Sequence, residues 1–536
     1  MNKKMISIII CTLVIIAVLP TVSSINKLHA DQTTNDSRID DDCDCTQENK
    51  NSIYQEYAVM ENPPNPLDIG VNSPKPIPMS TPNEFSWANN NGKDWTTPAK
   101  QQGNCGSCWA FAAMSSFESV IKIKEDCAKL NPDFSEQYIL SCLSSAGSCY
   151  GGSAYRALQY IKETTSEGNY VNGVPPEPCF LYEADDDIPC SEKCPNWEEQ
   201  LVPLLGYSSW KPDGTPSDIE SIKTQIMEDG PVIAHMKATD PFKLWGSLND
   251  NPDSYYPDYR KVYGINHVII IVGWKDVSSI PNGGYWICKN SWGPHWGYNG
   301  FFDIEYNGLN IDTTTIISTD YDPDSVSWPP IIDTGGSYGT ILGQVTTFDA
   351  SGSEAVEGEI TEYEWDFGDD TTGSGVITTH TYEELGEYTV TLTITDSDNN
   401  EVTETTSIWI QESNEAPGIP TITGQTPGGV GRAYDYTFSS TDPDENDVWY
   451  TVDWGDDTPQ VSIGPFGSGA DKTLRHRWAW LGTYTIQVKA IDVFGEESDW
   501  GTLSVTMPRT REVSRGIFSR FIERLIDAFP ILAGLW

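Results

Sequence analysis

Positive charge is what this sequence has least of. Its 536 residues carry 32 lysines and arginines against 78 aspartates and glutamates, a formal net charge of −46. Nucleic-acid binding is excluded as a main role, because no basic footprint is available to neutralise phosphates. The negative excess favours solubility and says little about fold. Histidine is scarce too, with six in the chain, so histidine chemistry has few candidates. Long apolar runs are nearly absent. The run from Met5 to Leu19, behind Lys3 and Lys4, is short for a bilayer span and has the length and charge of a secretory signal. Residues 1–30 are read as that signal, with an uncleaved membrane anchor as the alternative. Val22-Ser23-Ser24 and Leu28-His29-Ala30 are candidate cleavage sites. Export makes the cysteines intelligible, since disulfides persist outside the cytoplasm.

Residues 31–83 are acidic, then proline-rich (Pro63, Pro64, Pro66, Pro74, Pro76, Pro78, Pro82), and read as an extended leader or short pro-segment rather than a packed domain. Asp40-Asp41-Asp42-Cys43-Asp44-Cys45 lacks a nearby histidine, so a disulfide fits it better than a metal site. No metal or cofactor is expected elsewhere.

The chain is organised around Gln102-Gly103-Asn104-Cys105-Gly106-Ser107-Cys108-Trp109-Ala110-Phe111. A small-residue turn delivers Cys108 to the start of a helix, marked by Trp109, Phe111, Met114, Phe117, Val120 and Ile121 at helical spacing. A thiol at a helix N-terminus feels the positive end of the dipole, which favours thiolate. This stretch resembles the signature around the catalytic cysteine of the papain/cathepsin family of cysteine peptidases. The resemblance runs from Phe85-Ser86-Trp87 to about Asp312 and implies a two-lobed α+β catalytic domain at 84–318.

By that resemblance Gln102 and the Cys108 backbone N–H supply the oxyanion hole, which a tetrahedral acyl-transfer intermediate needs fixed in advance. Of the histidines, His29 falls beside the export signal, His380 and His476 lie in later β repeats, and His235 sits in an apparent strand. His267 opens the buried-strand run Val268-Ile269-Ile270-Ile271-Val272-Gly273-Trp274 and is similar to the family's histidine strand. It is the expected general base; His295 is the lesser candidate. Asn290, in Tyr285-Trp286-Ile287-Cys288-Lys289-Asn290-Ser291-Trp292-Gly293, resembles the residue that orients the imidazole, with Trp292 covering that hydrogen bond. Cys149-Tyr150-Gly151-Gly152 matches the family's cysteine and paired glycines. Gly151 and Gly152, lacking Cβ, are expected to let a peptide backbone lie close.

The resemblance also pairs Cys105 with Cys149, and Cys142 with a partner near Cys190. It leaves Cys127, Cys179, Cys194 and Cys288 unassigned, Cys288 being a candidate buried free thiol. The sequence departs from the family at Asn266, where an aspartate is common, and in insertions around 169–194 and 240–261 that are expected to reshape the cleft.

Residues 319–337 form a Pro/Asp/Gly linker. Beyond it, Trp365-Asp366-Phe367-Gly368-Asp369-Asp370-Thr371 is answered by Val452-Asp453-Trp454-Gly455-Asp456-Asp457-Thr458, and His380 and His476 precede matching Gly-x-Tyr-Thr strands. Alternating runs predict an all-β immunoglobulin-like sandwich in each segment, 338–412 and 413–508. The first resembles a PKD domain and the second does so more loosely. Their aspartates read as turn residues rather than calcium ligands. Residues 509–536 carry Arg509, Arg511, Arg515, Arg520 and Arg524 with an apolar stripe ended by Pro530, a basic amphipathic helix too short to span a bilayer. Membrane-surface or cell-surface association and docking within the protein are both open for it. The expected whole is a secreted or cell-surface cysteine endopeptidase acting on proteins or peptides. An acyl-transferring relative (transglutaminase or peptide ligase) and an adhesion protein with an inactive peptidase domain are the alternatives.

Overall fold

The computed structural model describes residues 73–507, apart from 164, 167–168, 171, 214, 249–251, 253, 258–261, 431, 457 and 479. The expected signal, most of the leader with its Asp/Cys cluster, and the tail helix lie outside the described residues.

The peptidase-like region is built on five helices: α1 (Cys108–Lys124), α2 (Glu136–Cys142), α3 (Ala154–Glu163), α4 (Pro216–Asp229) and α5 (Asp240–Leu248). Besides the short pair Thr165–Ser166/Asn169–Tyr170, its strands are β1 (Glu84–Ser86), the hairpin β2 (Gly147–Ser148) and β3 (Gly151–Gly152), then β4 (Gly206–Trp210), β5 (Val232–Met236), β6 (Tyr255–Tyr256), β7 (His267–Asp276), β8 (Gly284–Lys289), β9 (Phe301–Glu305) and β10 (Ile316–Asp320). The main sheet runs β4-β10-β5-β7-β8-β9-β6, with β1 pairing β7.

α1 is apolar nearly all round and buried nearly all round, as a central helix must be. Its polar residues are buried with partners: Ser116 Oγ donates to Pro231 O at 2.8 Å and Lys122 Nζ to Thr96 O at 2.6 Å. β7 is buried on both faces. Val268, Ile270 and Val272 join the core of the helical lobe with Trp109, Phe117 and Leu158. The intervening Ile269 and Ile271 join the second core with Ile226, Phe242 and Phe302, and so does Trp274 beyond the register shift at Val272. This is the period-2 alternation of a strand, and β7 is thereby shared by both lobes. The last leader residues lie extended along α4, where Lys75 meets Asp218 at 2.5 Å and Met79 N donates to Thr224 Oγ1 at 3.0 Å.

Downstream, five strands (order Tyr338–Ile341, Glu401–Gln411, Gly386–Asp396, Ile360–Asp366, Thr372–Ser374) and the pair Thr346–Asp349/Ile377–His380 enclose Phe348, Trp365, Phe367, Tyr382 and Leu392. A second sandwich, of three and four strands, encloses Tyr436, Phe438, Tyr450, Trp454 and Trp478. The sequence repeat has one physical basis in both. His380 Nε2 bonds Asp369 Oδ2 at 2.7 Å with its ring stacked on Phe367, and His476 Nε2 bonds Asp456 Oδ2 at 2.8 Å with its ring stacked on Trp454. The junction before the first sandwich is packed: β10 reaches Asp320 and pairs with β4, Tyr321 is buried, and Val356 of the first sandwich joins the helical-lobe core. Lys129 Nζ donates across that junction to Gly352 O at 2.8 Å.

Candidate active site

Cys108 is the first residue of α1 and is buried. The turn before it is held at both ends. The Cys105–Cys149 disulfide and a Gly106 N–H to Cys149 O bond of 2.7 Å tie it to the β2–β3 hairpin. Gln102 N donates to Ser291 O at 2.9 Å, tying it to the strand side. The Gln102 amide is oriented by two bonds: Nε2 donates to Cys105 O at 2.8 Å, and Oε1 accepts from Ser291 Oγ at 2.7 Å.

His267 begins β7 and Asn290 follows β8, the antiparallel neighbour in which Lys289 faces Ile270. That register brings the two side chains together: His267 Nε2 bonds Asn290 Oδ1 at 2.8 Å. Asn290 Oδ1 also accepts from the Ser291 N–H at 2.8 Å, which leaves the oxygen, not the nitrogen, turned to the ring. Trp292 is buried and stacked on the imidazole, centroids 4.5 Å apart. The backbone N–H of Val268, next after His267, reaches the Cys108 sulfur. Gln102, Cys108, His267, Asn290 and Trp292 are therefore gathered at one place between the lobes.

Electrostatics at this place differ from the expectation of a resting thiolate. Burial pushes the Cys108 thiol up to about 11, opposed only in part by the N–H groups of Val268, Trp109 and Cys108 itself. Burial likewise pushes His267 down to about 4, with the Asn290 bond working against this and the Lys243 charge adding to it. Desolvation of the buried sulfur outweighs the helix terminus, which favours the neutral thiol beside a neutral imidazole.

The glycines have a structural cause as well. Gly151 has φ +117°, and a Cβ on Gly152 would stand 2.4 Å from the Trp109 ring. His235 is distant in role, its Nδ1 bonded to Thr315 O at 3.1 Å, and His295 is exposed. Among the described residues the disulfides are Cys105–Cys149, Cys142–Cys190 and Cys179–Cys194, and Cys108, Cys127 and Cys288 are buried free thiols. Two residues escaped the sequence reading. Ser291 bridges both amides, and its place inside the asparagine motif was the available signal. Tyr182 OH donates to Gln102 O at 2.8 Å and pairs with Ser107 Oγ at 2.6 Å; nothing in the sequence around it pointed there.

A buried thiol opening a helix, an imidazole on the facing sheet and a side-chain amide behind it place the fold and site in the cysteine protease class. The family model for papain family cysteine proteases matches residues 81–319, and one for the PKD domain matches residues 327–410. Cathepsin J of Mus musculus is 30% identical over 245 residues, covering 44% of this chain and 66% of that protein. The viral cathepsin of Heliothis zea nuclear polyhedrosis virus is 31% identical over 257 residues, covering 48% and 59%. Cathepsin Z of Onchocerca volvulus is 31% identical over 235 residues, covering 42% and 70%. The match thus spans about two thirds of the length of these curated relatives. A solved PKD domain of a peptidase from a Thermoplasmatales archaeon is 45% identical, covering 18% of this chain and 99% of that one, with a TM-score of 0.18. The chain belongs to the papain family of cysteine proteases.

Proposed function

We propose that this chain is an exported cysteine endopeptidase that cleaves peptide bonds through a thioester acyl-enzyme. The observation that carries the proposal is the 2.8 Å bond from His267 Nε2 to Asn290 Oδ1 under the Trp292 ring, which leaves Nδ1 as the ring nitrogen for Cys108. The thiol proton passes to Nδ1 as the sulfur attacks the substrate carbonyl. Burial disfavours either charge alone, so thiolate and imidazolium form together, each offsetting the other's desolvation. The oxyanion is received by the Cys108 N–H and the second Gln102 Nε2 proton, the first being committed to Cys105 O. The imidazolium returns its proton to the leaving amine, and water, deprotonated by the same ring, releases the acid and regenerates the thiol.

The acyl segment of the peptide lies extended along Gly151 and Gly152. Residues 84–318 form the catalytic domain, and the sandwiches at 338–412 and 413–508 hold it at a surface or bind other proteins. Three disulfides fit an oxidising compartment, which supports export. Cys108→Ala is expected to abolish both hydrolysis and labelling by a thiol-specific epoxide in a folded protein. Asn290→Ala is expected to slow hydrolysis less, since Asn290 orients the base without entering the bond changes. Undiminished hydrolysis by the Cys108 variant would overturn the assignment. Mass analysis of digests separates hydrolysis from transfer to an added amine.

A further inference from the structure

The two donors assigned above to the oxyanion sit on one short loop, the Gln102 amide at its start and the Cys108 N–H at its end. Donors of this kind lower a barrier only when they are fixed before the charge forms. Ser291, on the strand side, accepts from Gln102 N at 2.9 Å and donates to Gln102 Oε1 at 2.7 Å. The Gln102 carbonyl is taken from the helical lobe, by the Tyr182 hydroxyl at 2.8 Å. The same phenolic oxygen lies 2.6 Å from Ser107 Oγ. A phenol has one proton, so with that proton on Gln102 O it is Ser107 that donates to Tyr182. One oxygen atom therefore grips the loop at both ends.

The use made of Ser107 is unusual for its position. It is the N-cap of α1, where a serine ordinarily turns its hydroxyl to an N–H of the first turn. Ser107 makes no such bond; its fully buried hydroxyl is turned to Tyr182 instead. The peptide plane between Ser107 and Cys108 carries the second oxyanion donor, and its oxygen accepts from Ala110 N at 2.8 Å. Tyr182 is itself held firmly. Its N–H donates to Glu177 Oε1 at 2.6 Å, Glu183 N donates to Gln137 Oε1 at 3.1 Å, and Gln137 Nε2 donates to Asp185 O at 2.7 Å. Gln137 is a buried residue of α2, and the Tyr182 ring meets Phe111 of α1 edge-on at 4.8 Å between centroids. The Cys179–Cys194 disulfide closes the segment just before it. The 169–194 stretch, expected to reshape the cleft, thus supplies a fixed hydroxyl to the cysteine loop.

Resting on the peptidase reading above, we infer that Tyr182 is the positioning residue of the oxyanion hole, fixing through one hydroxyl the two residues, Gln102 and Ser107, that aim its donors. It acts through those residues and takes no part in the bond changes. The consequence is confined to steps that place charge in the hole. Attack on a peptide carbonyl draws on both donors. Alkylation of the sulfur does not, because the sulfur displaces a halide at a saturated carbon and no oxyanion forms. The Cys108–His267 pair itself rests on α1, β7 and the Asn290 bond, none of which Tyr182 OH supplies.

The test uses the full chain carrying Tyr182→Phe, which keeps the ring on Phe111 and removes one oxygen. On a small quenched peptide, kcat is expected to fall roughly 5- to 20-fold with KM unchanged, short of the 10²–10³ typical of losing a donor outright. A peptide nitrile, to which the thiol adds reversibly as a thioimidate with its nitrogen in the hole, should bind more weakly by a similar factor. Iodoacetamide, from which the sulfur displaces iodide while the thiol proton goes to solvent, should react within about twofold of the natural rate. Ser107→Ala removes one of the two arms and should show the same split with a smaller fall. A kcat within about twofold of the natural value in Tyr182→Phe, an unchanged nitrile affinity, or an alkylation rate that falls as far as kcat overturns the inference and leaves the peptidase reading intact. Should Tyr182→Phe not fold, Ser107→Ala decides alone: an unchanged kcat, or equal losses in hydrolysis and alkylation, overturns the inference. Failure of the natural chain to cleave any peptide overturns the peptidase reading and this inference with it.

Discussion

Replacing Lys100 by methionine is expected to destabilise the peptidase lobe strongly at neutral pH and weakly in mild acid. The Lys100 ammonium lies 2.9 Å from Glu118, 3.0 Å from Glu136 and 2.5 Å from Asp133. Glu118 and Glu136 are 0% and 1% exposed, whereas Asp133 is in water. Burial pushes Glu136 up to about 8, so it is largely protonated at pH 7 already. Burial pushes Glu118 up as well, but Lys100, then Lys289, together with hydrogen bonds from Lys100 and Thr97, bring it below its ordinary value. Glu118 is therefore the carboxylate that loses its nearest cation, keeping only Lys289 and the hydrogen bonds from Thr97 and the Phe134 N–H, so the cost worked next is an upper figure. Forcing a carboxyl with an ordinary value of 4.5 to hold its proton costs about 3.4 kcal/mol at pH 7 and about 0.7 kcal/mol at pH 5, at 1.36 kcal/mol per pH unit. The neutral-pH figure agrees with the ~3–5 kcal/mol typical of breaking a buried pair.

The sign follows from proton counts. In the natural chain Glu118 binds its proton less tightly when folded, so its contribution is present above pH 4.5 and lost as pH falls. In the variant its folded value is raised, so stability falls as pH rises, and the gap between the two proteins widens from pH 5 to pH 7. Urea unfolding followed by tryptophan fluorescence at both pH values measures this, and a loss of ~3 kcal/mol corresponds to roughly 6–12 °C in melting temperature. Lys100→Met/Glu118→Gln should recover part of the loss at pH 7, because the stranded group becomes neutral. A loss below about 1 kcal/mol at pH 7, or an equal loss at both pH values, would refute the reasoning.

Ser291→Ala removes the hydroxyl that holds Gln102 Oε1 at 2.7 Å, so the amide loses its set orientation. On the order of a tenfold fall in kcat/KM on a small peptide is expected, less than the 10²–10³ typical of losing a donor outright; a change within about twofold would show that Cys105 O alone suffices to orient Gln102. Gly152→Ala should lower stability by about 1–3 kcal/mol, because its Cβ would stand 2.4 Å from the rigid, fully buried Trp109 ring. An unchanged melting curve would mean that the hairpin yields more readily than this packing implies.

Much of the site was legible in the linear chain because its chemistry depends on local spacing. Gln102 and Cys108 share one loop and one helix start, Asn290 and Trp292 share one turn, and His267 heads a run apolar enough to be only a buried strand. The sandwiches were legible for a related reason: alternating apolar residues declare a strand, and the Asp-Gly turns and late histidines recur at matching places. Local pattern could not determine how much burial surrounds the thiol, since desolvation is imposed by every element around a group. The helix start by itself argued for thiolate, and the assembled lobes hold Cys108 neutral.

Read along the chain, local pattern named the side chains able to perform the chemistry, the extent of the family resemblance, and the apolar run that forms β7. The packed fold set what those side chains meet and divided β7 between two cores. It set Ser291 between two amides, laid Tyr182 across the cysteine loop, and drew Val356 of the first sandwich into the helical core. Each of these joins residues far apart in the chain, or depends on which face of a residue its neighbours leave open. Contacts of that kind arise from packing several elements at once, and no periodicity within one element carries them.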